Sequence, residues 1–335
     1  VWITGNTYVL VSDRDRAFAV IDPWGRRSVD QIAKLRAEQK LGRLELVMFS
    51  HAHYDHYDGV YDLPGYDPKG ATPPFAVWAL DEVAKPIADP LRLRAPFLDA
   101  RPVRFDRRLT DGETASWREY SFRFHHLPGQ SYYTMGVEAA IDGKRCWFTA
   151  DNFFHQDQYS GTGGWMGLNR SWPIPYARSA QKVLDSRPDW ILAEHGGPYV
   201  FDAEDYRRRV RWGETSAKAA DALCVSGEHR REWDPYRVQA LPLLQRAKPG
   251  ATIRVELMAT AVGDKPETFQ LALAGRGVAP DGEWTLEATP GKPKTVTAPL
   301  TISPNAKRGR HVFPVRIRES RYADALDVFF AVDVE

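Results

Sequence analysis

Hydrophobic and polar positions follow two different rhythms along the chain. Up to residue 232, short apolar runs of strand length alternate with stretches of helical spacing. Tyr8–Val11 and residues 17–21 are β-rich runs around the polar turn Ser12-Asp13-Arg14-Asp15. Ser28 and Gln31 form a capping-box signature ahead of Val29, Ile32, Ala33 and Ala37, predicting a helix that Gly42 ends. Residues 44–50 then read as a strand, as do 75–79, 122–126, 146–149 and 191–193. Helices are predicted over 177–186 and from an Asp202 N-cap through Arg207-Arg208-Arg209, a solvated basic face with partners such as Asp205. Strands joined by helices place this part in the α/β class.

After Trp233-Asp234-Pro235 the helical spacing vanishes. Ile253, Val255, Leu257 and Ala259 alternate with Arg254, Glu256 and Met258, and the runs at Phe269, Val296, Phe313 and Val328 repeat the pattern. Strands at this spacing, separated by Gly, Pro and Asp turns, predict an all-β, immunoglobulin-like sandwich. The expected organisation is a domain over 1–232, a linker over 233–249 and the β-sandwich over 250–335.

Composition trims the functions this layout allows. The 45 basic and 44 acidic side chains among 335 residues leave a net charge of +1, which argues against nucleic-acid binding by broad phosphate neutralisation. No apolar run approaches the length a membrane span requires. Cys146 and Cys224 stand far apart and read as free thiols. Aromatic residues at 12% point to a well-filled core or an aromatic-walled cleft. The sequence begins at Val1 without a signal-peptide pattern, which reads as a processed or trimmed chain.

The densest chemistry follows the strand over 44–50: Ser50-His51-Ala52-His53-Tyr54-Asp55-His56. Three histidines and an aspartate at the end of a buried strand suit Zn²⁺ and related metals. This His-x-His-x-Asp-His stretch resembles the signature of the metallo-β-lactamase-fold hydrolases, and further motifs follow in order. Gly5-Asn6-Thr7-Tyr8 and Ile21-Asp22-Pro23 resemble that family's opening hairpin. Leu127-Pro128-Gly129-Gln130-Ser131 stands at its Pro-Gly-His-Thr-like turn, Phe148-Thr149-Ala150-Asp151 at its Thr-Gly-Asp strand end, and Ala193-Glu194-His195-Gly196-Gly197 at its Pro-Gly-His-Gly motif.

The resemblance implies an αββα sandwich and two adjoining metal sites. His51 and His53 would belong to the first, with Gln130 where the family has a histidine. Asp55, His56 and His195 would belong to the second, and Asp151 would bridge. An amide oxygen is a weaker ligand than imidazole, so the first site is expected to be weak, to draw on His125 or His126, or to be empty. One or two Zn²⁺ ions are implied, with iron or manganese as alternatives. Asp55 would act on the nucleophile and its proton, cleaving a lactone, lactam, thioester, phosphate or sulfate ester. Tyr54, Tyr57, His155, Trp165 and Arg170 are candidates for contacting substrate. The helical C-terminal region of the glyoxalase II branch is not expected here.

Three functions stay open at this point: a metal-dependent hydrolase, a degenerate metal- or ligand-binding member weakened by Gln130, and an iron-dependent oxidative enzyme. The expected partner is a small ester-like substrate. The β-sandwich is expected to serve binding, spacing or homo-oligomerisation, and its analogy to appendages of exported enzymes leans toward an extracellular or periplasmic setting.

Overall fold

The computed structural model describes residues 1–3, 5, 7–67, 74–93, 95, 97–155, 166–263, 265–273, 282–318 and 328–335, the side chains of 166, 167 and 318 excepted. The chain divides into two compact units: Val1–Pro90, Ala95–Trp165 and Asn169–Ser216 in one, Leu91–Arg94, Met166–Leu168 and Ala217–Glu335 in the other.

In the first unit, strands β1 (Tyr8–Val11), β2 (Phe18–Ile21), β3 (Leu44–Met48), β4 (Ala76–Leu80) and β5 (Arg107–Leu109) form a sheet in that order. β1 and β2 pair antiparallel, and the remaining neighbours are parallel. Helix α1 (Gly25–Gln39) makes the crossover from β2 to β3 and seats Ile32 against Phe18, Val20 and Val9. Burying aliphatic side chains in this way stabilises by about 1.5–3 kcal/mol each. Helix α2 (Tyr54–Tyr57) follows β3, and α3 (Asp81–Ala88) follows β4.

A second sheet has the order β11-β10-β9-β8-β7-β6, from β6 (Thr114–Trp117), β7 (Tyr120–His126), β8 (Met135–Ile141), β9 (Lys144–Phe148), β10 (Trp190–Ala193) and β11 (Gly197–Val200). Only β9 and β10 run parallel in it. After the short α4 (Met166–Asn169), helices α5 (Pro173–Ser186) and α6 (Ala203–Ala222) cover its outer face, Tyr176, Ala180, Val183 and Tyr206 packing on Leu127, Trp147 and Ile191. The two inner faces meet through contacts such as Tyr8 against Phe148, with Tyr8 Oη donating to the Ala193 carbonyl at 2.6 Å. This is the αββα arrangement.

The second unit holds α7 (His229–Trp233) and strands β12 (Val238–Leu241), β13 (Leu244–Ala247), β14 (Thr252–Ala259), β15 (Glu267–Leu273), β16 (Gly282–Ala288), β17 (Lys294–Thr301), β18 (Gly309–Arg318) and β19 (Phe329–Val334). Sheets β12-β14-β17 and β13-β19-β18-β15-β16 share one core of alternating residues, including Val255, Leu257, Phe269, Leu271, Ala298, Leu300, Phe313 and Phe330. It is a β-sandwich. Val238–Leu241 and Leu244–Ala247, expected within the linker 233–249, are instead strands of its two sheets: β12 pairs with β14 and β13 with β19. Val238, Ala240 and Ala247 are buried there, a signal too short to read as alternation.

Helix α1 also departs from expectation. It starts at Gly25, not after a Ser28 cap, because its first N–H is taken by Asp58 Oδ1 at 2.7 Å, a carboxylate 33 residues away. At its other end the left-handed residue is Lys40. Gly42 is needed for close approach, since a Cβ there would lie 3.1 Å from the Asp15 carbonyl oxygen. Cys146 and Cys224 are free thiols.

Glu45 on β3 ties the two sheets at one edge. It accepts from Arg118 Nε at 2.8 Å, Arg43 Nε at 2.6 Å and Trp117 Nε1 at 3.2 Å. The Arg118 hydrogen bond outweighs burial and, with Arg43 and Trp117, holds the Glu45 carboxyl down to about 2 against an ordinary 4.5. A depressed folded-state pKa stabilises above the unfolded value, and that contribution disappears as pH falls through the folded one. Glu45→Gln is therefore expected to lower the urea midpoint at pH 7, with the deficit shrinking between pH 4.5 and pH 2. A deficit independent of pH would contradict this.

Candidate metal centre

The parallel pairs β2/β3 and β9/β10 end at one edge of the first unit, and the motif residues leave from those ends. After β3 the chain stays extended through His51, whose backbone bridges to Thr134, and then closes one helical turn at α2. Extended His51 and His53 and helical Asp55 and His56 thus approach one point by two backbone routes. Asp151 follows β9, His195 follows β10, and Gln130 sits in the turn between β7 and β8.

Their donor atoms converge. His56 Nε2 lies 3.3 Å from Asp151 Oδ1 and 3.6 Å from Asp55 Oδ2. His195 Nε2 lies 3.3 Å from the same Asp151 oxygen and 3.5 Å from Asp55 Oδ2. On the other side, His51 Nε2 is 3.6 Å from Asp151 Oδ2. Charged hydrogen bonds close to about 2.7–2.9 Å. Ligands sharing a tetrahedral ion with bonds of about 2.0–2.2 Å instead stand about 3.3–3.6 Å apart. The observed spacing is the second kind. Two groups, His51/His53/Asp151 and Asp55/His56/His195, each bring their ligand atoms within 4.8 Å of one another. Asp151 turns one oxygen toward each. Buried His51 Nε2 and Gln130 Oε1 have no hydrogen-bond partner, as expected of atoms facing a cation. The residues fit a divalent metal.

Neighbours fix which nitrogen faces inward. Asp22 Oδ2 lies 2.8 Å from His56 Nδ1, leaving Nε2 toward Asp55, Asp151 and His195. Asn169 Oδ1 lies 2.9 Å from His53 Nε2, leaving Nδ1 free. Asp22 also accepts from the Ser50 amide at 2.7 Å and from its hydroxyl, so one carboxylate fastens the end of β3 and orients His56. Asn152 Oδ1 accepts from Gln130 N at 2.7 Å while its Nδ2 donates to the Leu127 carbonyl. A Cβ on Gly129 would fall 2.2 Å from that Asn152 oxygen, which is why the turn carries glycine.

Charge is apportioned unevenly. Burial opposes a charge on His56, yet Asp151, Asp55 and Asp22 outweigh it and raise the imidazole well above its ordinary range. His195 is likewise raised, to about 9: burial opposes, and the facing carboxylates of Asp151 and Asp55 prevail. Burial and the neighbouring His56 hold His51 low, and burial lowers His53. Asp151 and Asp55 stay below the carboxylate range because the surrounding histidines overcome burial. Glu194 is fully buried and pushed well up, by burial first and by Asp22 next.

Asp22, Asn152 and Asn169 are supports whose roles the sequence reading missed. Two of them carried a signal: Asp22 follows a buried strand beside β3, and Asn152 adjoins an expected ligand. His125 stacks on Trp147, and His126 Nε2 meets the Tyr132 carbonyl, so neither joins the cluster. The substrate candidates scatter. Tyr54 is exposed; Tyr57 is fully buried against Phe49, its hydroxyl taking the Asp99 N–H, and so supports the loop instead of walling a pocket. His155 is exposed with its ring against Tyr199, and the Arg170 guanidinium lies over Tyr132. Trp165 lies outside the described residues.

Two mixed sheets between helices, with histidines and carboxylates converging at one edge, define an αββα protein with a candidate metal centre. Residues 1–195 match the family model described as the Metallo-beta-lactamase superfamily, and the chain belongs to that superfamily. A 73-residue stretch is 33% identical to a protein of Schizosaccharomyces pombe (strain 972 / ATCC 24843) described as probable hydroxyacylglutathione hydrolase glo2; it covers 20% of this chain and spans 28% of that relative's length. Among solved structures, a Cronobacter sakazakii metallo-β-lactamase with a HARLDQ motif aligns at 18% identity and TM-score 0.48 over 65% of this chain and 88% of that one. The subclass B3 enzyme BJP-1 of Bradyrhizobium japonicum aligns at 15% identity and TM-score 0.46 over 66% and 88%.

Asp22→Asn removes the charge behind His56 and lets an amide compete for its tautomer. The expected result is about a 10–100-fold loss of zinc affinity, read by competition with a chelating dye, with the far-UV circular dichroism retained. Unchanged affinity would show that Asp22 serves only the strand end.

Proposed function

We propose that this chain is a metal-dependent hydrolase of an ester-like bond, with a thioester as the first class to test. What carries the reading is the 3.3–3.6 Å spacing of the Asp55, His56, Asp151 and His195 donor atoms. A divalent ion such as zinc held there would act as a Lewis acid and bring the pKa of a bound water to about 7. Asp55 is the group suited to orient the attacking water and pass its proton to the leaving group. It is more exposed than Asp151, at 27% against 7% of the side chain, and the histidines around it keep it ionised. His195, at 42%, opens the same side to solvent and substrate.

The thioester choice leans on the name of the Schizosaccharomyces pombe relative. The all-β second unit differs from the helical C-terminal region that the sequence resemblance gives glyoxalase II, so lactam, lactone, phosphodiester and sulfate substrates belong in the same panel. Gln130 supports a second feature of the proposal. Its Nε2 donates to Asp151 Oδ2 at 3.2 Å, occupying the oxygen that faces His51. The Asp55/His56/His195 position is then the one that holds its ion tightly.

Zinc-loaded protein is expected to hydrolyse at least one class in the panel, and Asp55→Ala to slow that turnover about 10²–10⁴-fold. Full turnover in a fully metallated Asp55→Ala variant would overturn the role of Asp55, and a chain that takes up no metal would favour the degenerate reading. Elemental analysis is expected to find one tightly held zinc per wild-type chain and close to two in Gln130→His. Equal stoichiometry in the two proteins would remove Gln130 as the cause of a weak first site.

A further inference from the structure

Arg209 of α6 is a buried cation that the proposed chemistry does not use. It is 1% exposed. Its Nε donates to Asp205 Oδ2 at 2.7 Å and its Nη1 to Tyr176 Oη at 3.4 Å, while Nη2 donates to the Phe154 carbonyl. One residue earlier, the Phe153 carbonyl accepts from Tyr199 Oη, which also lies 3.2 Å from Tyr206 Oη. The guanidinium sits 5.8 Å and 5.6 Å from the Phe153 and Tyr206 ring centres, so the charge is held by a carboxylate and two aromatic rings.

These contacts grip the loop that follows Asp151, beside the strand that follows His195. Phe153 and Phe154 follow Asp151 in a turn where Ala150 and Phe153, neither of them glycine, adopt φ of 54° and 59°. A left-handed turn of such residues persists only where its surroundings hold it. Tyr199 follows His195 on β11, and the Phe154 ring packs edge-on against the His195 imidazole at 5.9 Å. The Arg209 guanidinium therefore ties the loop after β9 to α6, and the Tyr199 phenol ties it to β11, the strand that follows His195.

We infer that Arg209 and Tyr199 are positioning residues that set the spacing of Asp151 and His195, and through it the metal affinity and coordination geometry of the centre. The inference rests on the reading of those two residues as ligands. A purely structural Arg–Asp pair would affect folding and leave the bound metal unchanged.

The test uses the full chain with Co²⁺ as probe, whose visible spectrum reports ligand geometry. Affinity is measured by competition with a chelator, alongside the thermal midpoint. Arg209→Lys keeps the charge but loses the fork, and Tyr199→Phe loses one hydroxyl. Each is expected to weaken Co²⁺ binding about tenfold or more and to change the spectrum. Arg237→Lys is the control: in the second unit it pairs with Glu267 at 2.6 Å, and it should lower the midpoint while leaving affinity and spectrum as in wild type. Wild-type affinity and spectrum in Tyr199→Phe and Arg209→Lys would overturn the inference, and Tyr199→Phe decides alone if Arg209→Lys does not fold. A wild-type chain that binds no Co²⁺ would overturn the metal reading itself, and this inference with it.

Discussion

Carboxylates and imidazoles placed side by side away from water repel, desolvate and compete for protons unless positive charge is shared among them. Asp22, Asp55 and Asp151 crowd around His56 under that constraint, and most of the first unit exists to satisfy it. Taking an ion out of water costs several kcal/mol after relaxation, and only well-aimed partners offset it. Two sheets whose parallel pairs end at the same edge supply that aim, because each strand end delivers one or two donors to a common point and the strands fix their separation. The 3.3–3.6 Å donor spacing suits a shared divalent cation.

The supporting residues divide this work by distance from the centre. Asp22 and Asn169 decide which ring nitrogen points inward on His56 and His53. Asn152 holds the turn that presents Gln130. Arg209 and Tyr199 bind backbone carbonyls further out.

Much of this was legible from the chain alone because the motif residues lie close together in sequence or at strand ends. His51 to His56 announce themselves within six positions, and Asp151 and His195 follow apolar runs that read as strands. The period-2 alternation of Val255, Leu257 and Ala259 likewise marked the sandwich. What stayed hidden was carried by partners distant in sequence. The start of α1 is set by Asp58, a donor pairing that no local pattern around Ser28 reveals. β12 and β13 are too short to show alternation, and they become strands only because β14 and β19 offer free edges. Tyr57 looked like a pocket residue beside His56, but one turn of helix rotates it into the core.

The Asp58 contact bears on evolution as well as on folding. A residue two places beyond His56 closes the first turn of a helix that precedes the motif, so the metal-facing loop and the crossover that leads into it are stitched into one piece. Transplanting His51 to His56 onto a foreign sheet would leave the loop without its tether and the helix without its anchor. Lineages that borrow this chemistry should therefore inherit the segment from β2 through the end of the 3₁₀ turn (Asp58–Asp62) as a block, and change their substrates by rewriting the loops that follow it.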